Sequence, residues 1–98
     1  MMVKTTVAIF GAAGSMGTRA WNALKDDAAY DVLCVEAGEA ATARLRDRGV
    51  QLMEQSVALQ QAELIVLAVP DALIGMVAAE IVPEMRSGAM LIGLDPAA

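Results

Sequence analysis

Ninety-eight residues fit one domain, and with 57% hydrophobic and 19% charged residues the chain has the means to bury a core and is not disordered. A net charge of −5 and a pI near 4.4 argue against the basic footprint that a nucleic-acid partner requires. One cysteine and no histidine exclude an intrachain disulfide and a Ser-His or Cys-His nucleophile, and leave almost nothing for a zinc site.

The apolar share exceeds the roughly 45–50% usual for a soluble domain. Either the sheet is parallel and covered on both faces, or further polypeptide covers part of the surface. Lys4 followed by the short run Val7 to Ala13 lacks a signal-peptide cleavage pattern. The longest apolar candidate, Leu64 to Ala79, contains Pro70, Asp71 and Gly75 and is shorter than the roughly 20 residues of a span. Cys34, in an apolar run, reads as an inert buried thiol, and a reducing cytoplasm is the expected location.

In chain order, Thr5 to Phe10 is a β-branched and apolar run that predicts a strand. Glycines follow at Gly11, Gly14 and Gly17. Ser15 to about Asp26 predicts a helix, with Met16, Ala20, Ala23 and Leu24 at helical spacing and Trp21 beside them. Tyr30 to Val35 predicts a second strand that ends at Glu36. Glu39 to Arg48 predicts a helix with Ala40, Ala43 and Asp47 on one face, Leu45 beside it, and Gly49 as its stop. Arg44, Arg46 and Arg48 read as a solvated face of that helix rather than an anion site.

Val50 to Met53 predicts a short third strand, and Ser56 is placed to cap a single turn through Gln60. Glu63 to Val69 is an unbroken apolar strand closed by Pro70, suited to the centre of a parallel sheet. Asp71 then caps a helix over Ala72 to Val82, with Leu73, Ile74, Val77 and Ile81 as its apolar stripe and Pro83 as its end. Gly88 to Leu94 predicts the last strand. The alternation is that of a doubly wound parallel α/β sheet, a Rossmann-like fold whose strand C-termini share one edge.

On that edge, a strand running into a glycine turn that opens a helix is how a backbone cradles a pyrophosphate. Gly11, Gly14 and Gly17 are spaced G-x-x-G-x-x-G, whereas the common fingerprint is G-x-G-x-x-G. Placing Gly14 and Gly17 on its last two glycines puts Ala12 on the first, with amide donors expected around Ala13 to Met16. Glu36 stands 19 residues beyond Gly17, close to the fingerprint's acid. A carboxylate there accepts from an adenosine ribose diol and repels a 2′-phosphate, so NAD is expected ahead of NADP. Val69 and Pro70 lie where adenine or the nicotinamide ribose would be lined. Asp71 reads as a cap, and Asp95 as a substrate group or a solvated acid. No metal site and no catalytic residue is expected in the chain.

At Phe10-Gly-Ala-Ala-Gly-Ser-Met-Gly17, Val35-Glu36, Leu67-Ala-Val-Pro-Asp71 and Pro83-Glu-Met-Arg-Ser-Gly-Ala89, the chain resembles the N-terminal NAD-binding domain of the phosphogluconate dehydrogenase and β-hydroxyacid dehydrogenase superfamily. The ending Leu91-Ile-Gly-Leu-Asp-Pro-Ala-Ala98 is similar to the branch that includes D-apionate oxidoisomerase. The resemblance implies roles for Gly11 through Gly17 at the pyrophosphate, for Glu36 at the adenosine ribose, and for Ala68 through Pro70 at the ribose and nicotinamide. It also implies a catalytic lysine in a helical C-terminal domain outside this chain. The sheet is then incomplete, residues 1–98 are the cofactor half of an oxidoreductase acting on a hydroxy acid or sugar acid, and a homo-oligomer is expected. A nucleotide-sensing regulatory module and an S-adenosylmethionine-dependent methyltransferase are the alternatives that the same fold allows.

Overall fold

The computed structural model of the chain describes residues 4–94. Four strands, β1 (Thr5–Phe10), β2 (Tyr30–Val35), β3 (Leu64–Leu67) and β4 (Met90–Gly93), form one parallel sheet in the order β2-β1-β3-β4. Between them run α1 (Ser15–Leu24), α2 (Glu39–Asp47), α3 (Gln55–Gln61) and α4 (Asp71–Ile81), with a 3-10 turn at Val82–Glu84. The strand order reverses between β1 and β3. In open α/β sheets, ligand crevices form at that switch point.

The unbroken hydrophobicity of β1 has a direct reading in the packing. Val7 and Ile9 belong to a core shared with Met16, Ala20, Trp21 and Leu24 of α1 and Leu45 of α2. Ala8 and Phe10 point the other way, into a core with Ala58 and Leu59 of α3 and Ile81 of α4. Side chains alternate across a strand, so a strand covered on both faces must be apolar at every position. β3 repeats this with Val66 on the first side and Ile65 and Leu67 on the second. The doubly wound expectation holds.

Several boundaries and faces differ from expectation. α1 ends at Leu24 rather than near Asp26, and Ala23 is exposed while Met16, Ala20, Trp21 and Leu24 pack inward. α2 turns Ala41 and Leu45, one turn apart, toward the core, and leaves Ala40, Ala43 and Asp47 exposed. Alanine carries too little apolar surface to choose the face, so the one leucine sets the helix rotation. Gly49 does stop α2, with φ of +75°.

The third strand shrinks to one bridge, Cys34 with Leu52, because Val50 to Met53 is too short to build a ladder at the sheet edge. Glu54, not Ser56, precedes α3. Pro70 occupies the N-cap of α4, which makes Asp71 its first residue. Proline's fixed φ, −54° here, suits this position, and the missing amide is not needed there.

β4 pairs with β3 and leaves its other edge open among the described residues. Leu91 joins the core under α4, so alternation turns Met90 and Ile92 to the opposite face, where Met90 is 62% exposed. Met76 on α4 is 64% exposed and Leu73 and Val82 are exposed nearby in sequence. Asp95 lies outside the described residues.

Candidate functional site

Strand register brings three chain ends together. Phe10 pairs with Val35 on one side and Leu67 on the other, so Gly11, Glu36 and Ala68 leave the sheet side by side. Backbone bonds carry the ladders one step further: Gly11 N–H donates to the Val35 carbonyl at 3.1 Å, and Ala68 N–H to that of Phe10 at 2.8 Å. The glycine turn, the strand-end acid and the β3 loop therefore share one edge.

Two of the three glycines are demanded by this packing. Gly11 has φ of +80°, and a Cβ there would stand 2.5 Å from the Ala68 carbonyl oxygen. A Cβ on Gly17 would stand 2.2 Å from the Gly11 oxygen and 2.7 Å from the Ala12 Cα, inside the contact of α1 with the turn. Gly14 differs. Its φ and ψ of −72° and 171° are open to any residue, and a Cβ would meet the Gly11 oxygen at an ordinary 3.5 Å. The fold leaves Gly14 exposed and does not require it to be a glycine. The tight-turn role falls to Gly11 rather than to Ala12, which has a conventional φ and is buried.

Gly14 is also the N-cap of α1, with no side chain capping it and no acid in the first turn. Its own N–H donates to the Gly11 oxygen at 3.1 Å, while the first intrahelical bond begins at Thr18 N–H to the Gly14 oxygen, 2.8 Å. The amides of Ser15, Met16 and Gly17 have no acceptor within the helix, and the positive end of its dipole faces the same way. Behind the turn, Thr18 Oγ1 donates to the Ala12 oxygen at 3.4 Å and accepts from Arg48 Nη1 at 3.0 Å. Arg48 thus braces the turn, while Arg44 and Arg46 are exposed, as read from the sequence.

Glu36 is half-buried and its carboxylate is spread across two amides. Oε2 accepts from Ala13 N–H at 2.9 Å and Oε1 from Ala37 N–H at 3.0 Å. Ala13 is therefore not a free donor, contrary to expectation; its amide orients the acid instead. Two carboxylate oxygens offer about four acceptor positions, so about two remain open for hydroxyl donors.

A cleft of about 400 Å³ adjoins Gly11 and Glu36. Met53, Val69 and Val77 give it apolar walls, and Glu54, Gln55 and Glu80 supply polar groups. None of its lining residues is Lys or Arg. Ala68 is buried, Val69 half-buried and Pro70 exposed, so the β3 loop presents Val69 and Pro70 outward. Glu54, Gln55 and Glu80 escaped the sequence reading, although Val77 and Glu80 stand at i and i+3 on α4 and so share a face. No helix among the described residues is long and apolar enough to cross a membrane. Among the same residues, no group of three or more His, Cys, Asp or Glu is placed to hold a metal.

Comparison with known proteins agrees with this geometry. The chain is 44% identical over 98 residues to a D-apionate oxidoisomerase of Blautia hydrogenotrophica, covering 99% of this chain and 34% of that protein. It superposes with a TM-score of 0.83 and 44% identity on a semialdehyde dehydrogenase NAD-binding protein from Cupriavidus necator in complex with calcium and NAD, covering 98% of this chain and 35% of that one. An NADH-preferring ketol-acid reductoisomerase from an uncultured archaean, at 20% identity, TM-score 0.77 and coverage of 91% of this chain and 28% of that one, shares the fold. The chain spans about a third of the length of the relatives it matches. The resemblance to the branch that includes D-apionate oxidoisomerase is borne out. The model of the acetohydroxy acid isomeroreductase NADPH-binding domain matches residues 1–93, and the chain belongs to that family.

Proposed function

We propose that the chain is the dinucleotide-binding domain of an oxidoreductase and that its cofactor is NAD. The observation that carries this reading is the placement of the Glu36 carboxylate, 2.9 Å from the Ala13 amide of the glycine turn, beside the uncapped start of α1. A pyrophosphate lies over Gly14 against the Ser15, Met16 and Gly17 amides, and the adenosine ribose diol donates to Glu36. Ala68, Val69 and Pro70 flank the path to the nicotinamide. The bare Gly14 backbone fits this group, since that position is the one the fold would let carry a side chain.

NAD over NADP follows from charge. A 2′-phosphate next to Glu36 would meet a carboxylate, with Glu54 and Glu80 in the same cleft and no cation lining it. The matched family is that of an NADPH-binding domain, and the choice of NAD for this chain rests on the Glu36 carboxylate. Nicotinamide supplies hydride chemistry when bound; the chain's own residues bind and orient it. We assign no catalytic role to a residue of this chain, which spans about a third of the length of its relatives. We propose for the whole protein a dehydrogenase-type activity on a hydroxy acid or sugar acid, phosphogluconate-like in class; relatives named D-apionate oxidoisomerase support an oxidoreductase-type activity. We further propose a cytoplasmic, homo-oligomeric protein, the second on account of the open β4 edge and exposed apolar residues.

Titration of the folded chain with NADH and NADPH, read by nicotinamide fluorescence or calorimetry, tests the reading. Saturable NADH binding, tighter than NADPH, is the expected result. No response to NADH at millimolar concentration by a folded chain overturns it, and tighter binding of S-adenosylmethionine would favour a methyltransferase.

A further inference from the structure

Arg48, at the C-cap of α2, reaches across to α1, where its Nη1 donates to Thr18 Oγ1 at 3.0 Å. Leu45 and Val50, on either side of it in the chain, are buried in the same core as Ala12 and Ala13, so packing holds α2 against the turn. Thr18 sits beside the turn because Gly17, without a Cβ, lets α1 close onto Ala12. A helical threonine ordinarily bonds the carbonyl three or four residues back. Thr18 Oγ1 donates instead to the Ala12 oxygen, six residues back, at 3.4 Å. That carbonyl and the Ala13 N–H belong to one peptide unit, and the N–H donates to Glu36 Oε2 at 2.9 Å. A cation, a hydroxyl, a peptide and a carboxylate thus stand in one chain, with every link donating toward Glu36.

We infer that Arg48 is a positioning residue for the cofactor: through Thr18 and the Ala12–Ala13 peptide it fixes the Glu36 carboxylate and sharpens the choice of NAD over NADP. The inference rests on the NAD reading given above. A hydroxyl that accepts from a cation becomes a stronger donor, and bonds in a chain polarise one another. Arg48 therefore strengthens the longest link, from Thr18 to Ala12, and with it the hold on the peptide plane. Loosening the carbonyl end lets that plane rock, and the carboxylate tied to its N–H moves with it. A mobile acid meets a ribose diol less well and yields more readily to a 2′-phosphate. The charge of Arg48, taken alone, acts in the opposite sense, since it attracts the more highly charged NADPH. The two effects differ in sign.

The test titrates the full chain, Arg48→Met, Thr18→Val and Thr18→Ser with NADH and NADPH by calorimetry, with circular dichroism confirming the fold. Arg48 is exposed, so its substitution leaves the core untouched, and Thr18→Val removes the hydroxyl while keeping the shape. Arg48→Met and Thr18→Val should each bind NADH about three- to tenfold more weakly and narrow its advantage over NADPH by about threefold. Thr18→Ser, which keeps the hydroxyl, should retain the wild-type preference. In a Glu36→Gln background, Arg48→Met should leave the ratio of the two affinities unchanged. Unchanged affinities in Arg48→Met, or an equal loss for both dinucleotides, overturn the inference. A wider preference in Arg48→Met assigns its effect to charge and overturns it too, as does a narrowing that persists in the Glu36→Gln background. Each of these results leaves the NAD reading standing. Failure of the folded wild-type chain to bind either dinucleotide overturns that reading and this inference with it.

Discussion

Gly14→Ala separates what the fold needs from what a ligand needs. The added methyl group enters a position whose φ and ψ, −72° and 171°, alanine adopts freely. Its nearest neighbours would be the Gly11 oxygen at 3.5 Å and the Ala68 oxygen at 4.0 Å, both ordinary contacts. The folded state is thus unstrained, and reduced freedom of the unfolded chain adds about 0.4–1 kcal/mol of stability. The same methyl projects into the gap between the turn and the end of β3, where a pyrophosphate would approach the Ser15 and Met16 amides. Losing one amide-to-phosphate hydrogen bond costs about 1.5–3 kcal/mol, which is roughly ten- to a hundredfold in Kd. Thermal melts and NADH calorimetry on the same sample read both effects. The expected variant melts at or above the wild-type temperature and binds NADH at least about tenfold more weakly. A variant that folds and binds NADH like the wild type would refute the assignment of Gly14 to the ligand.

The neighbouring glycines should behave in the opposite way: Gly17→Ala forces backbone atoms apart and should lower stability by about 1–3 kcal/mol or more, visible in a urea melt without any ligand. Glu36→Gln removes one negative charge, and a unit charge pair at about 4 Å is worth roughly 1–4 kcal/mol across the relevant dielectric range. Paired titrations should accordingly show the NADH-over-NADPH preference falling by about tenfold or more. Burial pushes the Cys34 thiol up from 9.0 to about 11. The unfolded thiol ionises first, so its stabilising contribution is full below about pH 9 and is lost as pH rises toward about 11. The wild-type chain should lose about 2–3 kcal/mol more than Cys34→Ala between pH 8 and 11, measured by urea melts. Finally, the edge of β4 that is open among the described residues and exposed Met90 and Ile92 should drive self-association at high concentration. Light scattering should detect it and Ile92→Lys should suppress it; a clean wild-type monomer would count against it.

The parts of the fold legible in the sequence are those where one physical demand dominates. β1 and β3 are apolar at every position because both faces are buried, and α1 shows its stripe through Met16, Ala20 and Leu24. Where apolar mass is scarce, the reading slips. α2 offered several alanines and one leucine, and the leucine alone fixed its rotation. β3 was read too long because Glu63, Ala68 and Val69 look extended, whereas the strand is Leu64–Leu67 and only single backbone bonds continue it at Glu63 and Ala68. Within the candidate site, Gly11 to Gly17 and Glu36 were legible because a strand, a glycine turn, a helix and then a strand-end acid form a known pattern. Gln55 and Glu80 were not, since no sequence pattern links them and only the packing of α3 and α4 brings them together. The use of the Ala13 amide by Glu36 was likewise hidden, being a choice among donors made in three dimensions.

Cofactor choice, in this fold, is decided by fewer residues than the fold itself. The sheet order, the turn and the α1 N-terminus would serve either dinucleotide, since both carry the same pyrophosphate. What differs is one phosphate on the ribose, and that difference is met at the end of β2. Here the position holds Glu36, tied by Oε1 to Ala37 and by Oε2 to Ala13. Those bonds have a consequence beyond charge. Swinging the carboxylate aside to admit a phosphate would break both and leave the Ala13 amide without its partner. An NADP-binding variant therefore needs more than removal of the acid: it needs a new acceptor for Ala13 and a cation for the phosphate. Arg48 is engaged with Thr18, and no residue lining the cleft is a cation. On our proposal the preference for NAD is built into the turn's own hydrogen bonding, with Glu36 holding the loop and meeting the ribose with the same two oxygens.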